Sequence, residues 1–242
     1  MIELEMNVKI IDHMGSDLSV VNAARVSFAK ESFAQDDEYT EVEYDTWIGS
    51  IPVLLESDKK LIRYLAKHNH WSPFGHASLQ FYIHAPVFVA RQLVKHQVGL
   101  TWNEVSRRYV DIEPEFYTPE VWRGIAENKK QGSSVDEEID INPSTGAGPK
   151  MVDDYQRALK QCKWTYEYLL QLGVAPEQAR MVLPQSMMTE WYWSGTLYAF
   201  ARVCNLRCKD DAQFETRMIA NQIDEQAMKL FPVSWKALRD NK

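Results

Sequence analysis

Hydrophobic and polar positions alternate over residues 77–85, where Leu79, Phe81 and Ile83 are separated by polar side chains. A period of two residues is typical of a strand with one buried face, so this stretch predicts a half-buried strand. A shorter apolar run at residues 8–12 predicts a second strand.

Apolar residues spaced three and four positions apart predict helices elsewhere. The longest helix is expected over residues 151–172, with Gly173 ending it. Pro176 opens a short helix that Pro184 closes, and a final helix ends near Pro232. The packing stripe expected on the longest helix consists of Met151, Tyr155, Ala158, Cys162, Thr165, Leu169 and Leu172.

Two further helices are predicted from their caps. Ser57 is expected to cap a helix from residue 58 to about residue 68, and Asp17 is a candidate cap for a short helix over residues 18–24. The aromatic-rich residues 189–203 are expected to serve mainly as core or subunit-interface packing.

Residues 87–97 are predicted to form a helix that starts behind Pro86 and stops before Gly99. At about 100° per residue its polar side chains gather on one arc and its apolar side chains on the other. The polar arc holds Arg91, Gln92, Lys95 and His96, and the packing arc holds Ala90, Leu93 and Val94.

A charged face of this kind is commonly just solvated, and that interpretation stays open. Two features favour a binding site instead. The face has no Glu–Lys pairs at helical spacing, which solvated faces often carry. Asn103, Glu104, Ser106 and Arg108 follow within a few residues, and clustered donors suit a phosphate and a polar heterocycle.

Composition places the chain among ordinary soluble globular proteins. Its 242 residues are 45% hydrophobic and 25% charged, which is enough for one sizeable core. We expect one domain over residues 1–242, with polar surface insertions near residues 31–50 and 127–150. The first is acidic and irregular, and the second is rich in Gly and Ser.

Charge and cysteine usage narrow the possible partners and compartment. A net charge of −7 disfavours general attraction to nucleic acid. No apolar run approaches the roughly 18 residues of a membrane span, and the N-terminus lacks a signal-peptide pattern. Three cysteines, an odd and sparse count, indicate a reducing cytoplasm. Cys204 and Cys208 are expected to be packed thiols rather than zinc ligands.

The histidines of residues 68–76 invite a metal interpretation, but no carboxylate stands at ligand spacing, so no metal is expected. A Ser-Pro turn with aromatic neighbours could instead present His70 and Ser72 to a flat ring.

The segment from Lys95 to Tyr109 resembles the signature of flavin-dependent thymidylate synthases, an Arg-His-Arg triplet followed by Asn-Glu-x-Ser-x-Arg-Tyr. In this chain the triplet reads Lys95-His96-Gln97, and the spacer before Ser106 is one residue longer than usual. Four other segments resemble family elements in the same order: Ala23-Ala24-Arg25-Val26-Ser27-Phe28, His70-Trp71-Ser72-Pro73-Phe74-Gly75-His76, Ala179-Arg180-Met181-Val182-Leu183-Pro184 and Asn205-Leu206-Arg207 with Ala212-Gln213-Phe214-Glu215.

The resemblance implies an α/β (α+β) fold, in which helices flank a mixed sheet, and a homotetramer with active sites at subunit interfaces. It implies conversion of dUMP to dTMP, with 5,10-methylenetetrahydrofolate supplying the carbon and NADPH-reduced FAD the hydride. The cofactor carries the hard chemistry, so the protein mainly positions and polarises. The expected partners are dUMP, folate and NADPH, with no nucleic acid, membrane or metal.

The resemblance also assigns site residues. Those expected to bind dUMP are Gln92, Lys95, Glu104, Val105, Ser106, Arg107, Arg108, Arg180 and Arg207. Those expected to contact FAD are Ser27, His70, Ser72, Lys95, His96, Gln97, Asn103, Glu104, Thr196, Tyr198 and Arg202. Arg207 and Ser106 are the residues nearest the chemistry. Arg207 would stabilise negative charge on the uracil, and Ser106, with no visible relay, is interpreted as a nucleotide contact.

Three alternatives remain at this point. A relative that binds nucleotide and flavin without turnover would explain the altered triplet, in which Lys95 lacks the planar fork of arginine and Gln97 lacks a charge. A nucleic-acid-binding protein could use Arg107, Arg108 and the aromatics as a stacking surface. A cysteine-dependent thymidylate synthase is disfavoured because no cysteine follows a proline.

Overall fold

The computed structural model describes residues 5–43, 48–110, 112–126, 132–141 and 151–240. Its strands are β1 (Asn7–Met14), β2 (Tyr39–Glu43), β3 (Ile48–Pro52), β4 (Ser78–Pro86), β5 (Leu100–Glu104), β6 (Arg123–Ile125), β7 (Ser133–Glu138) and β8 (Met188–Thr196). Its helices are α1 (Asp17–Arg25), α2 (Glu56–Lys67), α3 (Val87–Leu93), α4 (Met151–Gln171), α5 (Pro176–Ala179), α6 (Leu197–Arg207), α7 (Phe214–Leu230) and α8 (Pro232–Asp240).

A four-stranded sheet in the order β1-β4-β8-β5 forms the centre of the fold. The alternation over residues 77–85 is confirmed, since β4 turns its apolar side chains to a buried face. In the register with β8, Phe81 lies opposite Trp193 and Ile83 opposite Trp191. Within the described residues every pairing of this sheet is antiparallel, so the sheet is not mixed as expected, although the α+β class is confirmed.

The aromatic-rich segment belongs mainly to the core, as expected. It comprises β8 and the start of α6. Trp102 stacks on Trp191 with ring centroids 4.4 Å apart, and Phe200 meets both Phe81 and Trp193 edge to face. Offset and edge-to-face rings gain more than their buried area alone. Residues that alternate with the tryptophans on β8 point to the other face of the sheet.

The ends of α1 and α8 correct the prediction about Asp17. Ser16 is the N-cap residue of α1. The buried Asp17 carboxylate accepts hydrogen bonds of 2.8 Å from the backbone N–H groups of Val233 and Ser234, in the first turn of α8. Sequence spacing could not show this, because the capped helix lies more than 200 residues further along the chain. The helix expected to end near Pro232 is confirmed as α7, which ends at Leu230, but it is not the final helix, because Pro232 begins α8.

Two helix predictions need smaller corrections. The residue that precedes α2 is Leu55, so Ser57 lies inside the first turn and is not the cap. The long helix is confirmed as α4, yet its fully buried side chains are Leu159 and Tyr166, while Ala158 is exposed. Large apolar residues occur around much of α4, so spacing gave the helical period but not which face packs.

Both segments expected to be irregular surface insertions contain described strands. Strands β2 and β3 form one antiparallel hairpin, and β6 and β7 form another. No strand signal is visible in the sequence of β2, because its two large apolar residues, Tyr39 and Val42, stand three positions apart among polar and acidic residues. Residues 44–47, 127–131 and 142–150 lie outside the described parts of the chain, and the single-domain interpretation stays a prediction. No described helix is long and apolar enough to cross a membrane.

Candidate active site

A cavity of about 310 Å³ lies between α3, the end of β5 and the segment that leads into β8. Arg91, Arg107 and Arg180 line it together with Glu104 and Val105. The sequence predicted all of these as dUMP-binding residues except Arg91, which it placed on the polar arc without a role. Three guanidinium groups around one cavity fit a phosphate dianion, which accepts several charge-assisted hydrogen bonds.

Glu104 is held by its neighbours at the edge of this cavity. Its carboxylate accepts hydrogen bonds from Trp102 Nε1 at 3.2 Å and from Thr189 Oγ1 at 2.8 Å. The next residue, Val105, donates its backbone N–H to the carbonyl of Glu190 at 2.9 Å. The loop that carries the Ser106 motif is therefore anchored to the central sheet at its first residues.

Ser106 faces an arginine rather than a base. Its Oγ lies 3.2 Å from Arg108 Nε and 3.4 Å from the Arg108 backbone nitrogen, and it accepts from both. Within the described chain no histidine or carboxylate contacts this hydroxyl, so nothing is placed to remove its proton. The arrangement agrees with a nucleotide contact rather than a nucleophile.

The turn between α3 and β5 differs from the predicted helix over residues 87–97. Helix α3 ends at Leu93, and Val94 is its C-cap. The chain then turns through Lys95 and His96 to Gly99, which has φ of 78°. Polar side chains after Leu93 therefore lie on a tight turn instead of a helical face. The left-handed conformation of Gly99 completes this turn just before β5 begins at Leu100.

This turn passes very close to the end of β8, at a contact between Gly99 and Gly195 that we call the crossing. A Cβ on Gly195 would overlap the Gly99 carbonyl oxygen and the Leu100 side chain. The Gly99 carbonyl in turn accepts the N–H of Thr196 at 3.1 Å. Thr196, a predicted FAD contact, uses its hydroxyl to cap α6 by accepting the Ala199 N–H at 3.2 Å. The crossing sets residues 95–97 beside α6.

His96 and Arg207 meet at this crossing. Arg207 Nε donates to His96 Nε2 at 3.0 Å. Partial burial lowers the pKa of the His96 imidazole, and the charges of Arg207 and Arg202 lower this pKa further. Burial also lowers the pKa of Arg207. The structure thus brings a predicted flavin contact into direct contact with the arginine assigned to the uracil.

A second, smaller cavity of about 60 Å³ opens on the other side of α6. Three predicted FAD residues line it: His70, Tyr198 and Arg202. Sequence reasoning did not assign Asn69, Trp71 and Asn205, which line it too. The ring of Trp71 lies 6.2 Å from that of Tyr198. Aromatic and amide side chains of this kind suit a flat, polar ring.

Gln92, a predicted dUMP contact, does not line the arginine cavity, and its amide is held from the start of α7. Its Nε2 donates to Gln213 Oε1, and its Oε1 accepts from Thr216 Oγ1 at 3.2 Å. Both partners belong to the start of α7, and Thr216 is fully buried. The Ala-Gln-x-Glu resemblance pointed to this segment, but only the tertiary structure shows that it fixes Gln92.

Several predicted residues are not brought into either cavity of the single chain. The exposed side chains in this group are Ser27, Ser72, Lys95, Gln97, Asn103 and Arg108. Their assignments stay predictions.

The Sγ atoms of Cys204 and Cys208 and a carboxylate oxygen of Asp224 lie within 4.8 Å of one another, close enough to hold a metal ion together. The sequence did not indicate Asp224, because it lies on the neighbouring helix α7. Its carboxylate already accepts from Trp235 Nε1 and Arg239 Nε, both at 2.7 Å. Burial raises the pKa of the Cys204 thiol, so the pair does not resemble a reactive thiolate.

Comparison with protein families gives a match to the thymidylate synthase complementing protein family over residues 9–233. Among curated proteins, the flavin-dependent thymidylate synthase of Kosmotoga olearia is 34% identical over 230 residues, covering 95% of this chain and 88% of that protein. The flavin-dependent thymidylate synthase of Thermus thermophilus is 33% identical over 237 residues, covering 97% of this chain and 76% of that protein.

Solved structures agree with these matches. The UMP/dUMP methylase PolB from Streptomyces cacaoi bound with 5-Br dUMP aligns with a TM-score of 0.73 and 30% identity, covering 98% of this chain and 95% of that chain. The same protein bound with 5-Br UMP aligns with a TM-score of 0.72 and 29% identity.

Proposed function

The chain belongs to the thymidylate synthase complementing protein family, and we propose that it is an enzyme that methylates dUMP to dTMP. Its carbon donor is 5,10-methylenetetrahydrofolate, its hydride comes from FAD reduced by NADPH, and no protein nucleophile is used. The observation that carries this proposal is the arginine-lined cavity, which gathers Arg107 and Arg180 of the predicted nucleotide-binding residues. The contact between His96 and Arg207 supports it, because it joins a predicted flavin contact to the arginine assigned to the uracil.

The arginine-lined cavity is the proposed phosphate and sugar site. Arg91, Arg107 and Arg180 supply charge. The N–H groups of Val105 and Arg108 are already donated within the protein, so the backbone donors that the anchored loop offers are those of Ser106 and Arg107. Arg108, steadied by Ser106, extends this donor set. Since the whole chain carries a net charge of −7, local clustering of arginines is what makes a dianionic ligand favourable here.

Arg207 is the proposed electrostatic catalyst. When the uracil ring loses its N3 proton, the negative charge that develops makes C5 more nucleophilic, and a nearby guanidinium stabilises that charge. Arg207 is partly buried, where its charge acts through less water than at the surface. The cysteines give no competing route, because Cys204 is buried with a raised thiol pKa and no cysteine lines either cavity.

FAD, when bound, supplies the hydride. His70, Tyr198 and Arg202 are the residues of this chain that would hold it, with Trp71 and Asn205 beside them. Their donors and rings fit a polar flat ring, but a cavity of about 60 Å³ is far smaller than a dinucleotide. The rest of the binding surface would come from another subunit.

A homotetramer whose active sites lie between subunits would supply the missing part of the FAD-binding surface. Exposed apolar side chains support it: Val26 and Phe28 flank Ser27, and Trp71 borders the small cavity. Such side chains on a monomer commonly mark contact surfaces. We place the enzyme in the cytoplasm, because its cysteines are sparse and form no disulfide within the described residues.

The test is dTMP formation by purified protein from dUMP and methylenetetrahydrofolate, with and without NADPH, after its bound flavin is measured. We expect NADPH-dependent product. Arg207→Ala should lower kcat/KM by about a hundredfold or more, while Arg157→Ala, on the exposed face of α4, should not change it.

Other outcomes separate the alternatives. Binding of flavin and dUMP without product would indicate a relative that lacks turnover. The altered Lys95-His96-Gln97 triplet is the feature that suggests this alternative. Product without any added reductant would indicate a cysteine-dependent synthase. Salt-dependent DNA binding would support a nucleic-acid-binding protein instead.

A further inference from the structure

Arg207 differs from other arginines of the described chain in the partner that holds it. Its Nε–H is accepted by the imidazole of His96 at 3.0 Å. Elsewhere carboxylates hold partly buried guanidinium groups: Arg25 with Asp58, Arg123 with Glu215, Arg217 with Asp210 and Arg239 with Asp224.

The contact fixes the protonation state of His96. A guanidinium has donors only, so the ring nitrogen that meets it must carry a lone pair. His96 is therefore neutral, with its proton on Nδ1. Its surroundings favour this form, because burial and the positive charges of Arg207 and Arg202, both on α6, lower its pKa. Lys95, on the turn itself, adds a positive charge and not a negative one.

A neutral partner has a different effect from a carboxylate. Both accept the Nε–H and fix the plane of the guanidinium, but a carboxylate also cancels most of its charge. With imidazole as the acceptor, Arg207 keeps its full charge, and among the described residues the only hydrogen bond of its guanidinium is the one through Nε, which leaves the two Nη groups for a ligand. We propose that His96 is the positioning residue for Arg207, orienting the guanidinium through Nε2 while leaving its charge uncompensated for the uracil of dUMP.

This inference rests on the proposed function, since it assumes that Arg207 faces the uracil. It adds an assignment to His96 beyond contact with FAD: protonation of His96 removes the acceptor and places a second positive charge against Arg207. The affinity for dUMP should therefore fall when His96 is protonated, even if the nucleotide and flavin are unchanged.

Two substitutions of His96 separate positioning from other roles. His96→Gln keeps an amide group close to the place of Nε2, whereas His96→Asn keeps one near Nδ1 and cannot reach Arg207. Flavin-loaded proteins are compared by titration with dUMP at a pH above the histidine range. We expect His96→Asn to weaken dUMP binding by about tenfold, with His96→Gln restoring most of that loss. Equal losses in both variants would overturn the inference.

The pH dependence gives a second readout. Dissociation constants for dUMP are measured between about pH 5.5 and 8.5 in wild type and His96→Gln, and compared as ratios. Ionisation of the nucleotide phosphate affects both proteins and cancels. We expect the wild-type affinity to fall relative to His96→Gln as the pH is lowered. A constant ratio would contradict the inference.

Histidine NMR tests the pairing independently of substrate. In protein labelled with ¹⁵N-histidine, the signal lost in His96→Gln is assigned to His96. We expect unprotonated Nε2 and protonated Nδ1 at neutral pH, and a shift of Nε2 in Arg207→Ala. The opposite tautomer, or an imidazolium, would refute the pairing. If the pairing is found but wild type binds no dUMP, the proposed function fails and not the contact.

Discussion

At the scale of single residues, the candidate site depends on side chains that hold other side chains. Gln92 is fixed at both ends of its amide by Gln213 and Thr216, and Glu104 is fixed by Trp102 and Thr189. A long flexible side chain loses entropy when it is ordered by a ligand, so ordering it beforehand reduces the cost of binding. The residues that hold Gln92 and Glu104 should therefore affect the affinity for dUMP without touching the nucleotide.

Thr216→Val tests this expectation for Gln92. Valine has nearly the same shape as threonine, but it leaves Gln92 Oε1 without the hydrogen bond from the buried hydroxyl. We expect dUMP binding to weaken by about threefold to tenfold and the free energy of unfolding to fall by about 1 kcal/mol. Isothermal titration and denaturant unfolding measure the two quantities.

The matched control is Thr165→Val, whose hydroxyl donates to the Gln161 carbonyl on the exposed face of α4. It should leave dUMP binding unchanged. If Thr216→Val bound dUMP as wild type does, Gln92 would not be a nucleotide contact.

At the scale of elements, the turn from α3 into β5 and its crossing over β8 determine where His96 lies. Gly99 needs a left-handed conformation, and Gly195 must lack a side chain because β5 begins directly against it. The family signature therefore depends on a glycine almost a hundred residues away. The extra residue in the spacer before Ser106 falls within this same turn and strand.

Gly195→Ala should disrupt this crossing. Its Cβ would overlap backbone and the Leu100 side chain, so β5 and the turn must move or the protein must unfold. We expect a loss of about 2–4 kcal/mol in the free energy of unfolding, and reduced flavin retention where the variant folds. Thermal and denaturant unfolding check the first expectation.

Gly75→Ala serves as the comparison, because its Cβ would meet only the Trp71 ring, at 3.6 Å. That is an ordinary van der Waals distance, so its free energy of unfolding should change by less than about 1 kcal/mol. Equal effects of the two substitutions would mean that the crossing is not tightly packed.

At the scale of the whole molecule, two histidines make the free energy of unfolding depend on pH. Partial burial lowers the pKa of both His96 and His13. The unfolded chain, with pKa values near 6.5, then binds protons at pH values where the folded chain stays neutral. Stability is fully present above about pH 6.5 and is lost as the pH falls from there through the lowered folded values.

We therefore expect the free energy of unfolding to decrease between about pH 7 and pH 5.5, measured by urea titration at each pH. The double variant His13→Gln, His96→Gln should lose most of this slope. The buried Asp17 carboxyl, whose pKa is raised by burial, acts in the opposite direction and is unchanged in the double variant. An unaltered slope would show that other groups cause it.

The features that were predictable from the sequence are those that depend on short-range pattern. Alternation located β4, helical spacing located α4, and the order of five modest motifs indicated the family. Each of these signals is carried by a short run of consecutive residues. Such motifs also named Glu104, Val105, Arg107 and Arg180 of the arginine-lined cavity, but they gave no role to Arg91 or to the lining residues that lead into β8.

The groups that meet across long sequence separations became visible only in the folded chain. Nothing local shows that Asp17 caps α8, that Thr216 restrains Gln92, or that His96 accepts a hydrogen bond from Arg207. These contacts join residues more than a hundred positions apart, and they depend on the packing of helices against the sheet. Spacing records the period of an element, but the phase of its buried face and the partner of each polar group are set by what packs against it.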